Sequence, residues 1–252
     1  MISYYYVNPT GNITLLVDSP VPPAERVKIA EKLMRAEPEA EQVGFIDGRN
    51  LNMAGGEFCG NATLSAAAVY CLKNNLDSAK VDMTVSGADC PVKVTIQKTD
   101  ENKYSGEVEM PLPESISETR LNLGGKSVAA PVVNFASISH IILTQKAERA
   151  ECEREIVRLC RELHAGGLGI MLVEGDKLTP LVYVPEPETL VWESSCASGT
   201  TAAGIYFASL DGEAFSGEFT EPGGKLGITV APGSRPLLKG RAETEGRRNL
   251  NI

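Results

Sequence analysis

Two cysteines in this chain stand directly ahead of runs that could place a thiol at the start of a buried helix. Cys59 opens "CGNATLSAAAVY" and Cys196 opens "CASGTTAAGIYF". Both runs are small and apolar nearly all round, which predicts helices buried on every side. A helix start leaves backbone N–H groups unpaired and carries a partial positive charge. A thiol held there is expected to ionise more readily than a free one, and the same N–H groups form a seat for a carboxylate. Gly55, Gly56 and Glu57 lead into Cys59, an approach that a cysteine serving only as core packing does not need.

The two segments match in pattern: a cysteine, a small or amide residue, a hydroxyl residue, then an Ala-rich helix. They lie 137 residues apart, about half the chain. If the two halves face each other, two helix starts converge on one small anion with a sulfur on each side. That arrangement suits inversion at a carbon acid, which needs a base on one face and an acid on the other. A thiolate and a thiol fill these roles and exchange them in the reverse direction. The α-carbon of an amino acid is very weakly acidic, so the N–H donors must also stabilise charge developing on the carboxylate. No lysine motif for pyridoxal phosphate is apparent, and the reading calls for no cofactor. The other cysteines read as packing. Cys71 ends the first buried helix, Cys152 and Cys160 share a stripe with Ile156, Leu159 and Leu163, and Cys90 opens a strand.

The elements that must position these cysteines follow from periodicity and turn residues. Strands are expected at 2–7 and 12–18 around the turn "NPTG". A helix follows at 22–36, with a stripe of Val27, Ala30, Leu33 and Met34. Strands at "QVGFID" and "LNMAG" precede the Cys59 helix (61–72), and three alternating strands come after it. The plan then restarts after "PLPESISETRLNLGG": two strands, a helix at 147–164, two strands around "EGDK", "ETLVWESS", the Cys196 helix (198–210) and closing strands. His164 and "AGGLG" read as a helix end and not a dinucleotide loop. A weak internal repeat results. The expected fold is α/β in the α+β sense, with two pseudo-symmetric domains, each a curved, mostly antiparallel sheet around a central helix. The first domain spans 1–115 and carries Cys59. The second spans 116–252 and carries Cys196, and the extreme C-terminus is expected to pack back onto the first.

Composition bounds the function. The chain has 252 residues, 42% hydrophobic and 23% charged, enough for two domains. Its net charge of −9 argues against nucleic acid or an anionic membrane as the main partner. The basic "GRRN" at 246–249 is too short to change that. No stretch approaches the ~20 apolar residues of a membrane span, and "MISYYYVNPTGNITLL" lacks the features of a signal peptide. Six cysteines without a Cys-x-x-Cys pair, and two histidines, indicate neither a disulfide scaffold nor a metal site. The expectation is a reduced cytoplasmic enzyme acting on a free amino acid, with a homodimer among the assemblies the sequence permits.

These residues resemble the diaminopimelate epimerase superfamily of cofactor-independent amino-acid racemases, with proline racemase a more distant relative. The resemblance spans the chain and is carried by "CGNA" at 59–62, "CASGTTA" at 196–202, "GNITLLVD" at 11–18 and "AEQVGFI" at 40–46. It implies Cys59 and Cys196 as the catalytic pair, Asn12 and Gln42 as substrate-binding residues, and Gly60, Asn61, Ser198 and Gly199 as carboxylate-binding groups. Two departures bear on the substrate. "VWESSC" has no counterpart of the arginine that grips the distal carboxylate of diaminopimelate, and "ISH" at 138–140 keeps His140 but loses the family's asparagine. Both remove handles for diaminopimelate. The "MAGGEFCGNA" spelling resembles the branch that racemises other amino acids, histidine among them.

Glu57 and Glu193 could hold a cysteine's proton network or bind the substrate's α-ammonium, or could be exposed loop carboxylates. His140 could support the site or be a hydrogen-bonded structural histidine. The best reading is a racemase or epimerase that inverts Cα of an amino acid other than diaminopimelate, histidine being the best guess. The alternatives are a diaminopimelate epimerase, or a thiol redox protein using Cys59 and Cys196.

Overall fold

The computed structural model describes residues 1–186 and 188–251. Contacts cluster into two compact units. One comprises Met1–Glu109 together with the chain from Lys239 onward, and the other Met110–Leu238. Both mix helices with largely antiparallel strands, an α+β plan, and each holds one helix that is buried nearly all round.

The first unit opens with β1 (Ile2–Asn8) and β2 (Thr14–Val17), an antiparallel pair. Helix α1 (Arg26–Ala36) then carries the chain to β3 (Gln42–Asp47), parallel to β2. The antiparallel β4 (Asn50–Met53) leads into α2 (Gly60–Asn74), after which β5 (Ser78–Val85) runs parallel to β4. β6 (Val92–Asp100) and β7 (Lys103–Glu109) extend the sheet by hairpins. The late strand β16 (Leu237–Leu250) pairs with both β7 and β1, so the strand order of this unit returns on itself.

Inside lies α2, whose residues Gly60 to Val69 and Cys71 are all buried. Gly106 of β7 is what permits the helix to sit so close. A β-carbon there would lie 2.7 Å from Leu64 Cδ1 and from the Thr95 carbonyl oxygen. On the other face of β1–β3, α1 covers Tyr4, Tyr6, Leu15, Val17, Val43 and Phe45. Its buried stripe is Ile29, Ala30 and Leu33, while Val27 and Met34 are exposed. The expected stripe was therefore rotated toward Val27. A short 3₁₀ turn at Pro23–Glu25 precedes α1.

The second unit starts with β8 (Ser115–Leu123) and β9 (Lys126–Asn134), an antiparallel hairpin, followed by β10 (Ser139–Leu143). Helix α3 (Arg149–Glu162) connects β10 to the parallel β11 (Leu168–Glu174). The antiparallel β12 (Lys177–Val184) and the short β13 (Thr189–Trp192) precede α4 (Ala197–Asp211). β14 (Phe215–Glu221) then pairs parallel with β12, and β15 (Gly224–Val230) closes the order. From the sequence, no element is assigned to segment 115–123. Seven of its nine residues are at least partly exposed, so it lacks the apolar alternation that marks a strand until Leu121 and Leu123.

Helix α3 packs Cys152, Ile156, Leu159 and Cys160 onto Leu121, Ile141, Leu168 and Leu181. Leu163, expected on that stripe, is exposed. The other face of the strands holds α4, and Gly204 allows its close approach: a β-carbon there would meet Ile228 Cγ1 at 2.8 Å. Left-handed residues Asn75 and Gly212 terminate α2 and α4, the usual way a helix ends without unsatisfied carbonyls. Cys71 is buried as expected, whereas Cys90 is exposed. Among the described residues no helix is long and apolar enough to cross a membrane.

Candidate active site

Both sequence-marked cysteines are N-cap residues. Cys59 precedes α2 with extended backbone, and its Sγ accepts the N–H of Ala62 at 3.4 Å. Cys196 precedes α4 in the same conformation, and its Sγ accepts the N–H of Gly199 at 3.4 Å. In each case sulfur caps the third helical residue, a role that serine, threonine, aspartate or asparagine fills better. Each sulfur thus takes one of the helix-start donors. The N–H groups of Gly60 and Asn61 in α2, and of Ala197 and Ser198 in α4, are not engaged by that sulfur.

Around Cys59, the first unit builds a chain of amides. The Cys59 thiol donates to Gln42 Oε1 at 3.0 Å. Gln42 Nε2 donates to Asn12 Oδ1 at 2.6 Å and to Thr14 Oγ1 at 2.7 Å. Asn61 Nδ2 donates to the same Asn12 oxygen at 3.2 Å, and Asn12 Nδ2 donates to the Glu41 carboxylate. This network fixes which way each amide faces. A carboxylate oxygen accepts, so Asn12 turns its N–H₂ to Glu41 and its oxygen to Gln42. Gln42 must then present its oxygen to the sulfur. In this arrangement the Cys59 thiol is a donor to the Gln42 oxygen. Asn12, Gln42, Asn61 and Cys59 are therefore brought together, and Gly60 is the first residue of α2. Glu57 is exposed, its carboxylate lying against Gly55 and its carbonyl accepting the Ser86 hydroxyl at 2.9 Å.

Around Cys196, the second unit assembles His140 from β10, Ser198 and Gly199 from the first turn of α4, and Glu221 from the end of β14. His140 is fully buried, and burial pushes its pKa down to about 3. It is a neutral imidazole at ordinary pH. Its Nε2 lies 2.9 Å from Ser198 Oγ, and its Nδ1 is buried without a partner, against Gly169. An orphaned N–H is the costlier of the two states, which places the proton on Nε2. Ser198 then accepts from the ring and is free to donate to Cys196 Sγ, 3.6 Å away.

Glu221 was not singled out in the sequence. Its Oε2 accepts the Cys196 N–H at 2.7 Å, and its Oε1 accepts the Thr200 hydroxyl. Only 4% exposed, it is raised by burial to a pKa of about 8. Nothing in "EFTEPGG" distinguishes this carboxyl from a turn residue, and a strand-end glutamate 25 residues beyond the cysteine carries no spacing signal.

The expected acidification of the thiol is reversed at Cys196. Burial raises its pKa well above the ordinary value, and the charges of Glu193 and Glu221 raise it further. The Ser198 hydroxyl and the Gly199 N–H act in the opposite direction but do not prevail. Desolvation of a thiolate outweighs a helix start when the sulfur is enclosed and carboxyls lie nearby. Glu193 is thus placed within electrostatic reach of Cys196. Among the described residues, no group of three or more His, Cys, Asp or Glu side chains is arranged to hold a metal ion.

Residues 1–237 match the family described as the histidine racemase CntK N-terminal domain. A histidine racemase of Staphylococcus aureus is 32% identical over 265 aligned positions, covering 97% of this chain and 95% of that protein. Among solved structures, a phenazine biosynthesis PhzC/PhzF protein of Clostridium difficile superposes with a TM-score of 0.65 at 18% identity, over 100% of each chain. A protein described as a proline racemase from Agrobacterium radiobacter superposes with a TM-score of 0.68 at 13% identity, over 100% of this chain and 93% of that one. At such identities the two structures speak to the fold alone, a mixed α+β arrangement.

Proposed function

The chain belongs to the histidine racemase CntK family and is an isomerase, an amino-acid racemase; we propose that it inverts the α-carbon of histidine with Cys59 and Cys196 as its two bases and without a cofactor. The observation that carries the mechanism is the matched pair of cysteine N-caps, each sulfur bonded to the N–H three residues on. Oxygen-bearing residues cap helices better, so a thiol at both positions is better explained by chemistry than by stability.

In this reading the two units are copies of one plan, each carrying one cysteine-led helix. The N–H groups at the two helix starts bind the α-carboxylate. One sulfur, as thiolate, removes the Cα proton while the other, as thiol, delivers a proton to the opposite face. Charge passes into the carboxylate as the Cα–H bond breaks, where the N–H donors stabilise it. After one turnover the proton has changed sulfur, and the enzyme is set for the opposite enantiomer. Glu193 receives the α-ammonium, whose positive charge offsets the carboxyls that hold Cys196 protonated. Asn12, Gln42 and Asn61 orient Cys59 and the substrate, and His140 supports Ser198. Histidine is favoured over diaminopimelate by the family and by "VWESSC", which lacks a cation for a second carboxylate.

The test is incubation of the purified protein in D₂O with L-histidine and, separately, with other L-amino acids including diaminopimelate. Loss of the Cα proton and appearance of D-histidine are expected. Exchange with no amino acid at all overturns the racemase mechanism, and exchange only with another substrate overturns histidine.

A further inference from the structure

The buried carboxyl of Glu221 stands directly behind Cys196. We propose that Glu221 is a positioning residue for Cys196, clamping the first turn of α4 through the Cys196 N–H and the Thr200 hydroxyl and holding a carboxyl beside the sulfur. The proposal rests on the reading of Cys196 as one of the two bases, and it adds what sets that base's geometry and proton affinity.

Three observations converge. The clamp has two arms from one side chain: Oε2 on the N-cap N–H of Cys196 and Oε1 on Thr200, four residues on, one helical turn later. Glu221 holds the Cys196 N–H while Cys196 Sγ caps Gly199, so both the backbone and the sulfur of Cys196 are tied to this turn. Second, the side chain is enclosed, at 4% exposure. A buried carboxyl is costly, and its two protein partners here both belong to the cysteine-bearing turn. Third, its charge acts on the thiol. Of the groups on the strands packed against α4, Glu221 of β14 is the one whose charge reaches Cys196, joined by Glu193 from the segment before the helix. His140 of β10 acts only through Ser198 and is neutral. Lys225 of β15 and Glu218 of β14 pair with each other at 2.7 Å on the exposed side.

The ionisation state of Glu221 therefore acts on the Cys196 thiol. When the carboxyl ionises it opposes formation of the thiolate, and when it carries a proton the thiol is released from that opposition. Protonated Glu221 keeps an acceptor for the Cys196 N–H, so the clamp persists while the charge changes.

The test uses the full chain as wild type, Glu221→Gln and Glu221→Ala. The rate at which iodoacetamide labels Cys196 is read by peptide-resolved mass spectrometry from pH 6 to pH 10, beside the pH profile of histidine racemisation. Glu221→Gln retains size and hydrogen bonding but has no charge. Its Cys196 labelling profile is expected to move to lower pH by about one unit, with the activity profile following in the same direction. Glu221→Ala is expected to lose racemisation at least tenfold in kcat, with KM changed much less. Labelling and activity profiles of Glu221→Gln that superimpose on wild type overturn the proposal, whatever Glu221→Ala does. Cys196 labelling does not depend on turnover, so a wild type that racemises nothing overturns the proposed function while the labelling profiles still decide the role of Glu221.

Discussion

Adding one methyl group at Gly199 separates packing from chemistry at the Cys196 half of the site. A β-carbon at this position would stand 2.1 Å from Met171 Sδ, 3.0 Å from Met171 Cε and 3.2 Å from Cys196 Sγ. Ordinary contacts between such atoms fall at 3.4–4 Å. Met171 must therefore retreat by more than an ångström, and the Cys196 sulfur by a few tenths. Overpacking of a fully buried site costs about 1–3 kcal/mol, and the gain in helix propensity from Gly to Ala offsets up to about 1 kcal/mol. A net loss of about 0–3 kcal/mol of stability follows. A misplacement of about 1 Å costs on the order of 100-fold in rate, so a shift of a few tenths, with the Gly199 N–H···Sγ bond disturbed, predicts about a tenfold loss in kcat/KM. The assay combines urea denaturation with chiral chromatography of L-histidine turnover, for Gly199→Ala, Met171→Ala and the pair. Removing the Met171 side chain makes room for the methyl but leaves its contact with Cys196. The double variant should be more stable than the sum of the singles by about 1 kcal/mol or more, while its activity stays as low as that of Gly199→Ala. Wild-type activity in Gly199→Ala, or full rescue of activity by Met171→Ala, refutes the reasoning.

Gln42→Leu removes the acceptor of the Cys59 thiol and both donors to Asn12 and Thr14. It should cost about 1–3 kcal/mol in denaturation and lower kcat more than tenfold. His140 is held neutral by burial, with a folded pKa of about 3 against 6.5. Its depressed value means stability present above pH 6.5 and lost as pH falls toward 3. About 2 kcal/mol should disappear between pH 7 and pH 5, and His140→Asn should flatten that part of the stability–pH curve. Glu221 has the opposite sign: its folded pKa is raised from 4.5 to about 8, so its contribution is intact below pH 4.5 and is lost as pH rises through 8. Wild type should lose roughly 2–3 kcal/mol relative to Glu221→Gln between pH 6 and pH 9, as read by urea titrations at the two pH values.

The two cysteine-led helices were legible because N-terminal placement and an all-round apolar run leave a strong local signal. Asn12, Gln42 and Asn61 came from the family resemblance, and the amide network explains how they meet: β2 and β3 run parallel and set Thr14 opposite Gln42. What the sequence hid is of two kinds. Elements governed by exposure were missed or misread: β8 was missed, as its polar run gives no alternation, and the stripe of α1 was misread, as its apolar Val27 and Met34 face outward. Properties governed by enclosure were also out of reach. Helix-start charge alone predicts an acidic thiol, whereas the burial of Cys196 and the arrival of Glu221 from a distant strand depend on tertiary packing.

The central claim is that two sulfurs, one on each unit, exchange protons with one α-carbon. It is tested most directly by following L- and D-histidine in D₂O with Cys59→Ser and Cys196→Ser, recording both Cα deuteration and the enantiomer formed. The two-base account predicts that racemisation is abolished in each variant, with any residual exchange confined to retention of configuration. Racemisation at the wild-type rate in either variant contradicts it.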